Sequence, residues 1–199
     1  MSATEETQLL HAARSGDEDA FAVLVERYEK RVYHQALRLL GNPEDAADVT
    51  QEVFYKVWRG LPQFQGDSAF STWLYRLTDN AAIDLLRREK KRKGETSLDE
   101  LNAGPPPADP SPTPQQALEQ AELQRSVAEG LARLSEDHRR VLVLRELNGL
   151  SYEQIAGIMD LPAGTVKSRI ARARLALAKI LRENGNFSGR AASNDRKRR

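Results

Sequence analysis

Apolar residues recur at helical spacing along most of the chain, and the segments they define are read as helices. A short helix is expected around Glu6–Ser15. Asp17 opens a long one with Phe21, Leu24, Val25, Tyr28, Val32 and Leu39 along one face, and Gly41 ends it. Asn42 as cap and Pro43 in the first turn restart the chain, which runs to about Arg59 and buries Val49, Val53 and Val57. Leu61–Ser71 reads as a loop from its Pro62 and Gly66. The next helix spans Phe70 to about Lys91, with Phe70, Trp73, Leu74, Leu77 and Ala81 inward and Tyr75, Arg76, Asn80, Arg87 and Arg88 away from that stripe.

A second helical group starts at Ala117. Leu123, Val127, Leu131 and Leu134 form the buried line of its first helix. Ser135 is expected to cap a helix over Glu136–Asn148, with Val141, Leu142, Leu144 and Leu147 apolar and Gly149 as the stop. Ser151 and Gln154 have the spacing of a capping box. The helix they open presents Ile155, Ala156 and Met159, and Asp160-Leu161-Pro162 ends it. In the following helix Val166, Ile170, Ala173 and Leu177 face inward. Lys167, Arg169, Arg172, Arg174, Lys179 and Arg182 cover the rest, and no acid occurs from Ala163 to Arg182. Two short helices with a tight turn, the second apolar on one side and cationic elsewhere, make a helix-turn-helix able to enter a major groove.

Between the two groups the pattern disappears. Residues 94–116 hold six of the nine prolines and no base, while Glu95, Asp99, Glu100 and Asp109 make them acidic. Such a segment buries too little apolar surface to fold. It reads as a flexible linker of roughly 23 residues, reaching at most about 75 Å and repelled by DNA. The expected fold class is all-α: two small helical domains, 1–93 and 117–183, with the linker 94–116 between them and a disordered basic tail, 184–199.

Composition narrows the chemistry. The absence of cysteine excludes disulfides, thiol catalysis and zinc fingers. A formal net charge of +1 hides segregation, with acids at Glu44–Glu52 and in the linker, and bases at Arg87–Lys93, Lys167–Arg182 and the tail. There is no cationic start before an apolar core and no apolar run of membrane length, so a cytoplasmic location is expected.

Three surfaces carry candidate chemistry. Glu44, Asp45, Asp48 and Glu52 cluster in the first two turns of their helix. They read either as a dipole-stabilised, solvated helix start or as a docking face for a basic partner. Phe64 and Phe70 flank a glycine-containing loop beside a helix that ends R-R-E-K-K-R-K, which suits single-stranded nucleic acid. The basic helix of the helix-turn-helix suits duplex DNA. An enzyme reading would need Glu-x-x-His pairs for a di-metal bundle, and His11, His34 and His138 do not supply them. No catalytic residue, metal or cofactor is expected.

Three stretches in order, D-A-A-D-V-T-Q-E-V-F-Y-K-V-W, F-Q-G-D-S-A-F-S-T-W-L-Y-R-L-T-D-N-A-A-I-D-L-L-R-R and L-S-Y-E-Q-I-A-G-I-M-D-L-P-A-G-T-V-K-S-R-I-A-R-A-R, resemble the extracytoplasmic-function (ECF) class of bacterial RNA polymerase sigma factors. The resemblance covers about residues 15–183. It implies core RNA polymerase and promoter DNA as partners, and an anti-sigma protein as a further one, since many members of the class are held inactive that way. It implies that Asp45, Asp48, Gln51 and Glu52 dock on the polymerase clamp helices, with Trp58 packing. By the same resemblance Phe64, Gln65, Gly66, Asp67 and Ser68 pocket a flipped −10 base beside Arg76 and Asn80, while Arg87 and Arg88 contact phosphates. Thr165, Lys167, Ser168, Arg169 and Arg172 read the −35 duplex. The long, proline-rich linker and Ala171 on the outer face of the reading helix depart from the expected pattern. The competing assignment is a helix-turn-helix regulator that acts without docking on polymerase.

Overall fold

A computed structural model describes residues 3–93 and 114–183; the expected linker core and basic tail lie outside the described residues. The chain divides into two compact units, the first built on α1–α4 and the second on α5–α8. Among the described residues there is no strand.

In the first unit α1 (Ala3–Arg14) and α4 (Phe70–Lys93) both pack on α2 (Glu18–Leu40), and α3 (Pro43–Gly60) completes the core with Val49, Val53 and Val57. Asp17 starts α2 by accepting the Ala20 amide on Oδ1 at 2.9 Å, which satisfies one of the donors that a helix start leaves open. Gly41 stops α2 at φ +76, a left-handed turn that glycine adopts without a Cβ clash. Leu24, Tyr28, Val32 and Leu39 are buried as the spacing predicts, while Phe21 and Val25 are half-buried. Phe21 instead tilts against Trp58, ring centres 4.8 Å apart, so Trp58 is a packing residue.

One expectation fails in α4. Tyr75 is buried, not turned away, because α4 is enclosed well beyond one apolar stripe, with Thr78, Asp79 and Ala82 also inside. Its packing is also partly polar: buried Gln35 of α2 donates Nε2 to the Tyr75 carbonyl at 3.0 Å, tying the two helices together. Polar groups are tolerable there because each is hydrogen-bonded. Thr78, for example, donates to the Leu74 carbonyl at 2.9 Å.

In the second unit α5 (Pro114–Ala132) starts within the span assigned to the linker, three residues before the start expected at Ala117. α5 packs on α8 (Ala163–Glu183) around Gly130, where an added Cβ would come within 2.9 Å of Leu177 Cδ1. Leu123, two turns earlier on α5, is exposed, contrary to the predicted buried line. α6 (Glu136–Leu142) gives way to a π-helical turn, Val143–Leu147, in place of a continuous helix to Asn148. The Asn148 amide there reaches back five residues to the Val143 carbonyl at 3.2 Å. The extra residue in the turn rotates Leu147 out of the apolar line and leaves it 48% exposed. Ser135 sits at the cap of α6, yet its side chain makes no capping bond. A buried arginine does related work: Arg139 donates Nε to the Leu131 carbonyl at 2.9 Å and Nη2 to the Ala132 carbonyl at 2.8 Å. Those bonds satisfy the closing carbonyls of α5, and burial holds the Arg139 pKa below its ordinary value.

The capping box ahead of α7 (Tyr152–Met159) is formed in both directions. The Gln154 amide donates to Ser151 Oγ at 3.2 Å, and the Ser151 amide donates to Gln154 Oε1 at 2.8 Å. Asp160 ends α7 in the left-handed region at φ 53. The Pro162 carbonyl then accepts the Thr165 and Val166 amides at 2.9 and 3.1 Å and starts α8. The buried face of α7 is Ile155 with Ile158, while Ala156 and Met159 are half-buried.

Candidate nucleic-acid interface

In the first unit a 3-10 turn, Leu61–Gln63, leads from α3 into the loop before α4. Phe64 is half-buried in an aromatic cluster. It stacks on Trp73 with centres 4.8 Å apart and planes 24° apart, and meets Phe70 edge-on at 6.1 Å. Phe70 in turn meets Tyr28 edge-on at 5.4 Å. The loop is therefore rooted in the core through Phe64, while Gln65, Gly66, Asp67 and Ser68 are exposed at its tip. Gly66 has φ +81, a bend that a residue with a Cβ would strain.

Arg76, Asn80, Arg87 and Arg88 are all exposed on α4. At about 100° per residue the first three fall within about 40° of one another, and Arg88 lies roughly a quarter-turn away. Arg87 keeps a loose pair with Asp84 at 4.0 Å, too solvated to hold it from a phosphate.

One member of this support escapes the sequence. Tyr28 donates its hydroxyl to Glu6 Oε2 at 2.9 Å, and Arg27 pairs with the same oxygen at 3.4 Å. Burial first, then the Glu6 bond, push the Tyr28 phenol up to about 12, so it remains a donor. α1 thereby supports the ring on which Phe70 rests. The partners are 22 residues apart, and no local spacing could announce them.

On α3 the expected docking residues share a face. Asp48 and Gln51 are exposed, and Asp45 and Glu52 are half-buried. Glu52 pairs with Lys56 Nζ at 2.6 Å, the base lying one turn on. Tyr55 continues this face and is 61% exposed, with Arg59 donating Nη1 to its hydroxyl at 3.3 Å. A large exposed aromatic in line with an acidic row was the available sequence signal for it.

In the second unit Val166, Ile170 and Ala173 seat α8 against its neighbours, with Leu177 half-buried beyond them. Lys167, Ala171 and Arg172 are exposed, and Thr165 and Ser168 are half-buried. Ser168 donates Oγ to the Thr165 carbonyl at 2.9 Å, leaving the oxygen as an acceptor toward solvent. Arg169 does not stand with the exposed residues of the expected reading set: it pairs with Asp137 Oδ2 of α6 at 2.6 Å, its side chain 24% exposed. Arg174 grips Glu146 Oε1 through Nη2 at 2.6 Å and Nε at 3.0 Å, which raises its pKa further. Nearby, the Arg145 guanidinium lies 4.9 Å above the Tyr152 ring and donates to the Leu150 carbonyl at 2.7 Å.

No described helix is long and apolar enough to cross a membrane. Among the described residues no group of three His, Asp or Glu side chains could hold a metal.

Comparison with known proteins gives these surfaces a family. Residues 24–92 match Sigma-70 region 2, and residues 124–177 match Sigma-70 region 4. The chain is 38% identical over 181 residues to the RNA polymerase sigma-H factor of Pseudomonas aeruginosa, covering 89% of this chain and 94% of that one. It is 41% identical over 174 residues to the ECF RNA polymerase sigma-E factor of Escherichia coli, covering 85% and 90%. A solved structure of CnrH in complex with the cytosolic domain of CnrY superposes with a TM-score of 0.66 at 27% identity, covering 90% of this chain and 98% of that one. With both regions present in order and this identity held over most of each relative, the chain belongs to the extracytoplasmic-function class of the sigma-70 family of RNA polymerase sigma factors.

Proposed function

We propose that this chain binds core RNA polymerase through the exposed face of α3 and directs promoter-specific initiation through two separate DNA surfaces. Asp45, Asp48, Gln51 and Glu52 form the docking face, complementary to a basic partner surface. The loop tip Gln65–Ser68 over the Phe64–Trp73 stack, with Arg76 and Asn80, receives a melted −10 base, and Arg87 and Arg88 hold the strand by its phosphates. Thr165, Lys167, Ser168 and Arg172 of α8 read the −35 element as duplex. The chain contributes positioning and binding, and the polymerase supplies the catalytic centre. Its working compartment is that of the polymerase, the cytoplasm.

The observation that carries this reading is the pairing of a capped helix-turn-helix with an aromatic-rooted loop and basic helix in one chain. A regulator that reads only duplex DNA has no use for the second surface. The domain assignment follows: 1–93 for polymerase and −10, a linker ending near Pro114, and a −35 module to residue 183. CnrH is in complex with the cytosolic domain of CnrY in its solved structure, which supports a protein partner for this chain as well, of the anti-sigma kind that the resemblance implies.

Run-off transcription with core polymerase on a randomised promoter pool tests the proposal. Transcripts that depend on the chain and share a −35 and a −10 sequence are expected. If the chain bound duplex DNA, failed to comigrate with core polymerase and gave no transcripts, it would be a helix-turn-helix regulator.

A further inference from the structure

Arg169 and Arg174 leave the reading surface in opposite directions. Taking Val166, Ile170 and Ala173 as the buried line and about 100° per residue, they lie roughly 70° to either side of it. Ser168 then points directly away from the core, with Ala171 and Arg172 flanking it. Each lateral arginine ends on an acid of the same neighbouring segment: Asp137 in α6 at 2.6 Å and Glu146 in the π-helical turn at 2.6 Å. One pair alone would brace α8 against rolling about its narrow buried line in one sense only. Two pairs on opposite flanks oppose rotation in both senses.

We propose that Arg169 and Arg174 are positioning residues: their ion pairs with Asp137 and Glu146 set the roll of α8 and so decide which side chains face the −35 bases. Arg169 is thereby removed from the base-reading set, and the direct readers become Thr165, Lys167, Ser168 and Arg172, with the Ala171 methyl. The π-helical turn acquires a purpose, since it carries Glu146 in the segment where α6 has lost its regular path. The inference rests on the −35 reading proposed above. It concerns how the helix is aimed, not whether it reads DNA.

A double-mutant cycle on the full chain, complexed with core polymerase, tests it. The readout is the ratio of affinities for a duplex selected by the wild-type complex and for a scrambled duplex, with its salt dependence. Arg169→Ala and Asp137→Ala should each lower the ratio by about 2- to 5-fold, the range an exposed ion pair commands, and the double variant should be no worse. The salt slope should not change, because no phosphate contact is lost. The swap Asp137→Arg with Arg169→Asp should restore the ratio, which a direct base contact could not do. Glu146→Ala and Arg174→Ala should behave alike. If Arg169→Ala weakened binding while Asp137→Ala did nothing, Arg169 would be a direct contact and the inference would fall. It would fall equally if neither variant moved the ratio. A wild-type complex with no preference between the duplexes would instead overturn the −35 reading itself.

Discussion

The two proposed DNA surfaces are built in different ways. The −10 surface is an extension of a core: its loop hangs from Phe64, which stacks on Trp73, which shares a cluster with Phe70 and Tyr28 across α2 and α4. The −35 surface is one helix seated on a narrow buried line, Val166, Ile170 and Ala173, and flanked by ion pairs on both sides. A strand pulled out of a duplex must find stacking partners already in place, and only a packed core can hold aromatic rings that firmly. A duplex is rigid and meets a rigid helix, so surface charge suffices to aim it. The −10 surface should therefore fail with its core, and the −35 surface with its charges.

The largest effect should come from the aromatic root. Phe70→Ala empties a buried site and should destabilise the first unit by about 3–5 kcal/mol. Both tryptophans, Trp58 and Trp73, belong to that unit, so the shift appears in the tryptophan-fluorescence melt. An unshifted melt would mean that the cluster is ornamental and the contrast false.

Charge reversal on α3 comes next, since it breaks binding without breaking a core. Asp48→Lys with Glu52→Lys should cost several kcal/mol of affinity for core polymerase by opposing like charges. The fold should lose no more than about 1 kcal/mol, mainly the exposed Glu52–Lys56 pair. Size-exclusion comigration with core polymerase and a thermal melt separate the two.

How far these features could be read in advance depended on their range along the chain. The capping box of α7, the glycine stop of α2 and the buried line of α8 rest on residues within one or two turns of each other, and all were legible. Tyr75, Leu123 and Leu147 were misplaced because a helix's burial depends on how many neighbours enclose it, and a π-helical turn shifts the phase. The Arg169–Asp137, Arg174–Glu146 and Tyr28–Glu6 partnerships cross between helices, where no local spacing gives warning. The family match to region 2 begins at residue 24, so α1 and Glu6 lie outside it as well.

That missed contact sharpens the comparison at smaller scale. Tyr28→Phe keeps the ring and removes only the bond to Glu6, a loss of about 1–2 kcal/mol. Binding of a single-stranded −10 oligonucleotide by the polymerase complex should weaken with it, while duplex −35 binding stays unchanged. Glu6→Gln should reproduce the effect in weaker form.

The smallest effect is one of pH. Burial, then the neighbouring Arg38 and Lys30, lower the His34 pKa below its ordinary 6.5, so folding favours the neutral ring. The unfolded chain then binds the extra proton, and the stability His34 contributes is present above pH 6.5 and is lost as pH falls through the lowered folded value. Melts between pH 7.5 and 5.5 should show a decline that His34→Gln reduces; an identical decline in the variant would remove His34 from the account.

The central claim is a division of labour, and one crossed measurement addresses it. The polymerase complex would be titrated with a −10 single strand and, separately, with a −35 duplex, using wild type, Gln65→Ala with Asp67→Ala, and Arg172→Ala. The loop-tip variant should lose affinity for the single strand alone. Arg172→Ala should lose about 1–3 kcal/mol on the duplex alone. Losses that fell on both probes in either variant, or that crossed over, would contradict it.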